Sequence, residues 1–282
     1  MYFPLSLVFS VLILITLSAC SNFAKRVDNK AEHHGFERIL LDGTHYQHVS
    51  YQNFEETTKR LHVYIEGDGV PWIARYWVSP DPTSPRALML DLMALDQQKS
   101  LYLGRPCYLG QAKTHRCHPI LWTHQRYSDK VVDSMEVALK EYLGHQPERE
   151  IILFGHSGGG AIAVLLAARL DDVIGVVTVA GNLDIQAWTD YHGYTPLKGS
   201  LNPVDAVVPE HIFQIHLVGG KDKVVPPMLV EEQLNSYPNS LVWRFEKNAH
   251  SCCWRRNWPL VLTRVEEVIK LQKDKITSSQ RK

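Results

Sequence analysis

The segment from residue 151 to residue 170 constrains the fold of this chain more than any other. Residues 151–154 are all apolar and begin with two isoleucines, which is typical of a strand buried on both faces. Gly155-His156-Ser157-Gly158-Gly159 follows directly, and residues 158–170 are small and apolar, which predicts a helix packed on a sheet. A serine among glycines at such a junction indicates a sharp turn, because larger flanking side chains would collide with the neighbouring backbone.

Strands and helices alternate along most of the chain. Strands are predicted over residues 60–65, 100–103, 173–179, 213–218 and 241–245, and helices over residues 87–95, 128–143, 229–234 and 259–271. A β-hairpin is predicted over residues 36–53, with its turn at Asp42-Gly43. Ser84 is the predicted N-cap of the helix over 87–95, and Pro85 its first residue. The alternation predicts an α/β fold: one domain with a mostly parallel, doubly wound sheet flanked by helices.

The first residues indicate export rather than a structural element. Residues 5–17 form an apolar run that is short for a membrane span and suits a signal peptide, although an uncleaved anchor is the alternative. Leu17-Ser18-Ala19-Cys20 resembles the bacterial lipoprotein box, which implies a signal peptide over residues 1–19 and lipidation of Cys20. Ser21 stands where a retention-type Asp would sit, which favours the outer membrane, facing the periplasm. Residues 20–35 are the predicted polar tether, and residues 36–282 the predicted domain.

Four further cysteines would reside in an oxidising compartment, where pairing is expected. Cys107, Cys117, Cys252 and Cys253 allow three connectivities, among which the sequence does not choose. Cys107 and Cys117 flank a loop that their bond would close. Alternatively, Cys252 and Cys253 would bond to Cys107 and Cys117 and so join the loop around residue 250 to that segment. Their spacing matches no usual zinc-ligand pattern, so we predict no metal site.

The charge balance excludes one class of partner. The chain has 30 Lys plus Arg and 30 Asp plus Glu, so its formal net charge is zero. A nucleic-acid-binding protein needs a basic surface for the phosphates, so we predict no nucleic-acid partner.

Two later segments complete a pattern with the glycine-flanked serine. Residues 217–226 contain Gly219-Gly220-Lys221-Asp222, and Asn248-Ala249-His250 follows the last predicted strand. Together with the turn at Ser157, they resemble the α/β-hydrolase superfamily in its chain order of Ser, acid and His. The resemblance implies that Ser157 is the nucleophile, His250 its base and Asp222 the acid that orients the imidazole. Asp184 and Asp205 are the alternative acids, and His156 is expected to be structural.

The same resemblance implies two backbone donors for an oxyanion. One is the N–H of Gly158, and the other is the N–H of Asp68 in the turn after the first long strand. That turn is Glu66-Gly67-Asp68-Gly69, where the superfamily often has His-Gly. Its charges would oppose a negative oxygen unless the side chains point away, bind a substrate amine, or pair with Arg75 or Arg105.

These residues predict a serine hydrolase that cleaves an ester, thioester or amide bond through an acyl-enzyme. Its partner would be a small-molecule or acylated substrate, and the chemistry needs no cofactor. The short insertion between residues 180 and 213 disfavours a lipase that requires interfacial activation. The alternatives are an acyltransferase on the same fold, and a non-catalytic envelope lipoprotein that uses the fold for binding.

Overall fold

The computed structural model describes residues 22–53, 59–144, 150–233 and 239–279. The predicted signal peptide and Cys20 lie outside the described residues. Across these ranges, no helix combines the length and apolar character that a bilayer crossing requires.

The described residues form one large sheet and one small hairpin. The strands are β1 (Glu37–Asp42), β2 (Gln47–Gln52), β3 (Arg60–Ile65), β4 (Trp72–Ile73), β5 (Trp77–Val78), β6 (Ser100–Tyr102), β7 (Glu150–His156), β8 (Val173–Val179), β9 (Phe213–Gly219) and β10 (Ser240–Phe245). The large sheet has the order β1-β2-β6-β3-β7-β8-β9-β10, and β4 pairs with β5 separately. Strands β6, β3, β7, β8, β9 and β10 run parallel, whereas β1 and β2 form the predicted antiparallel hairpin at one edge.

Helices cover both faces of the sheet and explain why its central strands are apolar. The helices are α1 (Asn22–His33), α2 (Leu88–Met93), α3 (Asp129–Gly144), α4 (Gly158–Ala167), α5 (Ile185–His192), α6 (Pro227–Glu231) and α7 (Trp254–Ser279). Every residue of α4 is buried, as its uniformly small and apolar composition predicts. The predicted doubly wound α/β architecture is therefore confirmed, and the carboxyl ends of the parallel strands lie along one edge.

The predicted polar tether contains a docked helix. In α1 the side chains of Val27 and Ala31 are buried in the domain core. Tyr51 on β2 donates a hydrogen bond to Asp28 Oδ1 at 2.6 Å, and Lys30 Nζ lies 2.9 Å from Asp91 Oδ2 in α2. The mean composition of this segment is polar, but its few apolar residues fall on one helical face, which is enough to pack it on the sheet edge.

Helix α2 begins later than predicted, and its cap is different. Its N-cap is Ala87, with φ 45°, and no side-chain hydrogen bond comes from that residue. Ser84 Oγ instead accepts a hydrogen bond from the Ala87 N–H at 3.3 Å, outside the helix. The first helical turn takes its acceptor from Glu66, whose Oε2 receives the Met89 N–H at 3.0 Å. The prediction of Ser84 as N-cap and Pro85 as first residue was wrong, because a distant carboxylate performs the capping.

Both cysteine pairs are local. Cys107 bonds to Cys117, and Cys252 bonds to Cys253. The first bond closes the loop that follows β6, which is one of the predicted arrangements. The alternative clamp between the two segments is absent among the described cysteines.

Candidate active site

Ser157 occupies a sharp turn between β7 and α4. Its backbone has φ 53° and ψ −120°, in a region that residues with side chains rarely adopt. A side chain at Gly155 would collide with the Gly159 backbone, and a side chain at Gly159 would collide with the Ile65 carbonyl. The glycines therefore allow the strand, the turn and the helix to approach closely enough to present the serine.

An aspartate–histidine pair lies on the two loops after β9 and β10. His250 Nδ1 is 2.8 Å from Asp222 Oδ2, and the Asp222 carboxylate is fully buried. The other oxygen, Oδ1, accepts the N–H groups of Val224 and Val225 at 2.8 and 2.9 Å. Because two amides hold this carboxylate, it can fix both the orientation and the tautomer of the imidazole, leaving His250 Nε2 to accept a proton.

Ser157 and His250 line the same cavity. Among the hydrogen bonds of the described residues, none joins Ser157 Oγ to the His250 ring. Such bonds in hydrolases are often long before substrate binds, so the shared cavity is the relevant observation. Burial lowers the pKa of His250 below its usual value, and the bond to Asp222 opposes that shift.

The two alternative acids have other surroundings. The Asp184 carboxylate caps α5 by accepting the N–H groups of Gln186 and Ala187, and it also accepts the Asn202 amide. Asp205 is exposed at the end of a short 3₁₀ helix. Neither contacts His250, whereas Asp222 does.

The cavity has a volume of about 670 Å³ and combines a polar floor with aromatic walls. Ser157, His156 and His250 lie on it together with Glu66, Asp68 and Arg126. Its walls include the aromatic and aliphatic side chains of Trp72, Leu88, His124, Trp188, Tyr194, Leu197 and Val224. This size and mixture suit a small organic molecule oriented by a few polar groups.

Two backbone N–H groups beside Ser157 are available as donors. Gly158 begins α4, and Asp68 lies in the turn after β3. Among the hydrogen bonds of the described residues, neither N–H donates to a protein acceptor. Asp68 Oδ1 comes close to the position that a Gly158 side chain would occupy, so the two segments are in contact. Two N–H groups on adjoining segments are the kind of donor from which an oxyanion hole is built.

The Asp68 side chain is fully engaged in a buried cluster. Its Oδ1 accepts Arg105 Nη1 at 2.6 Å, and its Oδ2 accepts Arg126 Nη1 at 3.0 Å and the Tyr127 hydroxyl at 2.6 Å. Burial raises the pKa of Asp68, but the charges of Arg126 and Arg105 outweigh it and hold the pKa well below its usual range. Of the three predicted possibilities for the Asp68 carboxylate, the structure shows ion pairing. The partners are Arg105 and Arg126, whereas Arg75 is not one of them.

Glu66 and His156 form a second polar chain that reaches the His250 loop. His156 Nε2 donates to the backbone carbonyl of His250 at 2.9 Å, and the two imidazole centroids are 4.8 Å apart. His156 Nδ1 faces Glu66 Oε1 at 3.5 Å. Both side chains are almost wholly buried, so His156, the residue before Ser157, holds the loop that carries His250.

A second serine–histidine contact exists away from the cavity. His48 Nε2 is 2.8 Å from Ser134 Oγ, and His48 Nδ1 donates to the Gly104 carbonyl at 2.8 Å. Both side chains are completely buried, and no carboxylate among the described residues bonds to the His48 ring. A substrate cannot reach this pair, which joins β2, α3 and the loop after β6.

Sequence reasoning missed Arg126, Tyr127 and the loop-holding role of His156. The available signal was the irregular segment over residues 105–127, which is rich in aromatic residues and follows the predicted strand over residues 100–103. Its composition did not indicate which cation would meet Asp68, since that pairing joins segments 58 residues apart.

Comparison with known proteins supports this geometry at the level of the fold. The family model for lipase (class 3) matches residues 92–173, which include the Ser157 turn. No curated protein matches the chain in sequence.

Solved structures match most of the chain. The esterase Pf2001 of Pyrococcus furiosus superposes with a TM-score of 0.60 at 14% identity, covering 85% of this chain and 93% of its own. Est1E of Butyrivibrio proteoclasticus, solved with ferulic acid, gives 0.60 at 13% identity, covering 84% and 99%. XC6422 of Xanthomonas campestris, described as a serine hydrolase without a lid, gives 0.52 at 13% identity, covering 81% and 94%. The chain has the α/β-hydrolase fold.

Proposed function

We propose that this chain is a serine hydrolase that cleaves small ester, thioester or amide substrates through an acyl-enzyme. The observation that carries the proposal is the 2.8 Å hydrogen bond between His250 and the amide-held Asp222, on the cavity that Ser157 lines. The lipase family match over residues 92–173 and the fold shared with esterases agree with it.

Each proposed step uses one group of the site. Ser157 Oγ attacks the substrate carbonyl carbon while His250 Nε2 takes the hydroxyl proton, and the N–H groups of Gly158 and Asp68 stabilise the oxyanion. His250 then gives the proton to the leaving alcohol, thiol or amine, so that an acyl-Ser157 remains. Water attacks this acyl group with His250 as base, and the acid and free Ser157 are released.

The buried Asp68 cluster fits this mechanism. Asp68 carries a negative charge close to the proposed oxyanion, which alone would be unfavourable. Arg105 and Arg126 both contact its carboxylate, so the three side chains together carry one positive charge. The two guanidinium groups therefore offset the Asp68 charge, and the cluster holds the turn that carries the Asp68 N–H.

Labelling with a fluorophosphonate and hydrolysis of p-nitrophenyl esters of increasing chain length test the proposal. Ser157→Ala should abolish labelling and lower kcat on the order of 10⁴- to 10⁶-fold. Ser134→Ala is the matched control, since it removes the hydroxyl of the buried pair and should leave labelling intact. Hydrolysis by Ser157→Ala at the wild-type rate, or an unlabelled wild-type protein, would contradict the proposal and favour a binding protein.

The acceptor of the acyl group is tested by product analysis with competing alcohols and amines. A hydrolase gives mainly free acid, whereas an acyltransferase gives mainly the new ester or amide.

We also propose, from the residues at 17–20, that Cys20 is lipidated and anchors the enzyme to the outer membrane, facing the periplasm.

A further inference from the structure

The β4–β5 hairpin exposes a compact apolar surface beside the cavity. Ile73, Tyr76 and Trp77 are 43%, 82% and 72% exposed. Ile73 pairs with Trp77, and Trp72 pairs with Val78, so these two pairs lie on opposite faces of the hairpin. Trp72 lines the cavity. The Ile73–Trp77 face, together with Tyr76, is therefore directed away from the cavity and into solvent.

The turn of this hairpin is conformationally costly. Ala74 and Arg75 have φ values of 48° and 68°, and the Tyr76 N–H donates to the Ile73 carbonyl at 3.2 Å. Both central residues of such a turn usually are glycine or asparagine. A strained turn beside exposed aromatic side chains favours a binding surface over a simple connection.

The start of α1 lies in the same layer of loops as this hairpin. Ala24 adjoins Gly110 in the loop after β6, and the neighbouring Leu109 N–H donates to Thr83 Oγ1 at 2.7 Å. Thr83 follows Pro82, whose carbonyl accepts the Val70 N–H at the base of the hairpin. Helix α1 begins at residue 22, only two residues after Cys20, so a lipid on Cys20 would be held close to this edge.

We propose that the β4–β5 hairpin inserts into the headgroup region of the phospholipid bilayer that holds the lipid at Cys20. Tryptophan and tyrosine are favoured at this depth because their rings are apolar and their N–H or O–H groups remain hydrated. Arg75, with the exposed Lys25 and Arg26 of α1, adds attraction for anionic headgroups. The cavity then lies on the side of the hairpin that faces away from the bilayer. The proposal rests on lipidation of Cys20 and not on the proposed hydrolysis.

Quenching of tryptophan fluorescence by lipids with brominated acyl chains tests this contact. The full-length protein, extracted from membranes, is reconstituted in vesicles of phosphatidylethanolamine and phosphatidylglycerol. Trp77→Phe and Trp243→Phe each remove one of the seven tryptophans. Trp243 is the control, because it lies half-buried on β10, at the sheet edge opposite to β1. We expect Trp77→Phe to lose most of the quenched emission and Trp243→Phe to lose none. Equal quenching of Trp77→Phe and the wild type would overturn the proposal.

Two further measurements separate the remaining outcomes. The intact mass of the extracted protein reports lipidation, and an unmodified Cys20 would overturn the proposal as stated. Sedimentation in detergent reports self-association: a dimer that Trp77→Ser dissociates, with no quenching at Trp77, would assign the surface to a second copy and overturn insertion. All these readouts are independent of catalysis, so a failed activity assay would leave them interpretable.

Discussion

At Ser157 the backbone adopts a left-handed φ that costs about 1–3 kcal/mol in a residue with a side chain. The surrounding hydrogen bonds keep it there: its N–H donates to the Val179 carbonyl at 2.9 Å, and its carbonyl accepts the Asn182 N–H at 3.0 Å. Strain at this residue directs Oγ into the cavity rather than into the sheet. Asp222 and His250 show the same principle, since backbone amides determine where the carboxylate and then the imidazole lie.

In the pH profile of kcat/KM, the fall in activity on the acid side should have its midpoint below the usual histidine pKa of about 6.5. His250 must be neutral to act as base, and its burial lowers the pKa, so kcat/KM should remain high until the pH falls below that value. Asp222→Asn removes the carboxylate that raises this pKa, so the midpoint should move to still lower pH while kcat falls roughly 10⁴-fold. Profiles of kcat/KM from about pH 4 to about pH 9 measure both effects. An unshifted midpoint in Asp222→Asn would show that this carboxylate does not act on His250.

His156 is predicted to position His250 through its backbone carbonyl. His156→Leu removes the Nε2 donor and should lower kcat about 10- to 100-fold, with KM nearly unchanged, because ground-state binding does not use this bond. His156→Gln places an amide N–H near the same position and should restore most of kcat. Steady-state kinetics of both variants, with circular dichroism as the control for folding, provide the measurement. Equal losses in both variants would point to general packing instead.

At the scale of elements, the turn after β3 organises the neighbouring segments. Glu66 accepts N–H groups from its own turn and from α2, at Gly67 and Met89. Asp68 binds side chains from the loop that follows β6. A strand, a helix and a long irregular loop are therefore held by two acidic residues of one turn, Glu66 and Asp68.

Glu66→Ala should destabilise the protein more than loss of the nearer serine. It removes the carboxylate that caps α2 and leaves the buried Met89 N–H unpaired, which costs about 1–3 kcal/mol. Ser84→Ala, the matched variant at the predicted cap, removes only the long bond to Ala87 and should cost under about 1 kcal/mol. Urea unfolding of the two variants compares these values. A larger loss in Ser84→Ala would restore Ser84 as the cap.

At the scale of the whole molecule, two buried histidines couple stability to pH. Burial lowers the pKa of His48 and of His216 to about 4 each. In the unfolded chain both regain a pKa of about 6.5, so between these values the unfolded state binds more protons than the folded state. Stability is therefore full above about pH 6.5 and declines as the pH falls towards about 4.

Urea unfolding at about pH 7.5 and about pH 5 should show this loss as several kcal/mol. His48→Asn preserves a donor for the Gly104 carbonyl but removes the titrating ring. It should reduce stability at the higher pH and make the difference between the two pH values smaller. A pH dependence identical to that of the wild type would exclude His48 as one of its sources.

Most of the sheet was predictable because its signals are local. The buried strands at residues 60–65 and 173–179 were predicted at their observed bounds, since both runs are rich in residues that favour strands. Helix α1 and the β4–β5 hairpin were not predicted. The first is polar on average, and the second turns at Ala74-Arg75, which carries none of the usual turn residues.

The linear sequence by itself determined the α/β class and the glycine-flanked serine turn, because each depends on neighbouring residues and the period of apolar side chains. The proposed roles of Ser157, Asp222 and His250 came from the resemblance of three sequence segments to the α/β-hydrolase superfamily. Only the tertiary structure decided which acid meets His250, which cations neutralise Asp68, which carboxylate caps α2 and which cysteines pair. Except for the two local cysteine pairs, these contacts join segments far apart in the chain. Their partners are selected by the distances that packing imposes, and no local pattern records those distances.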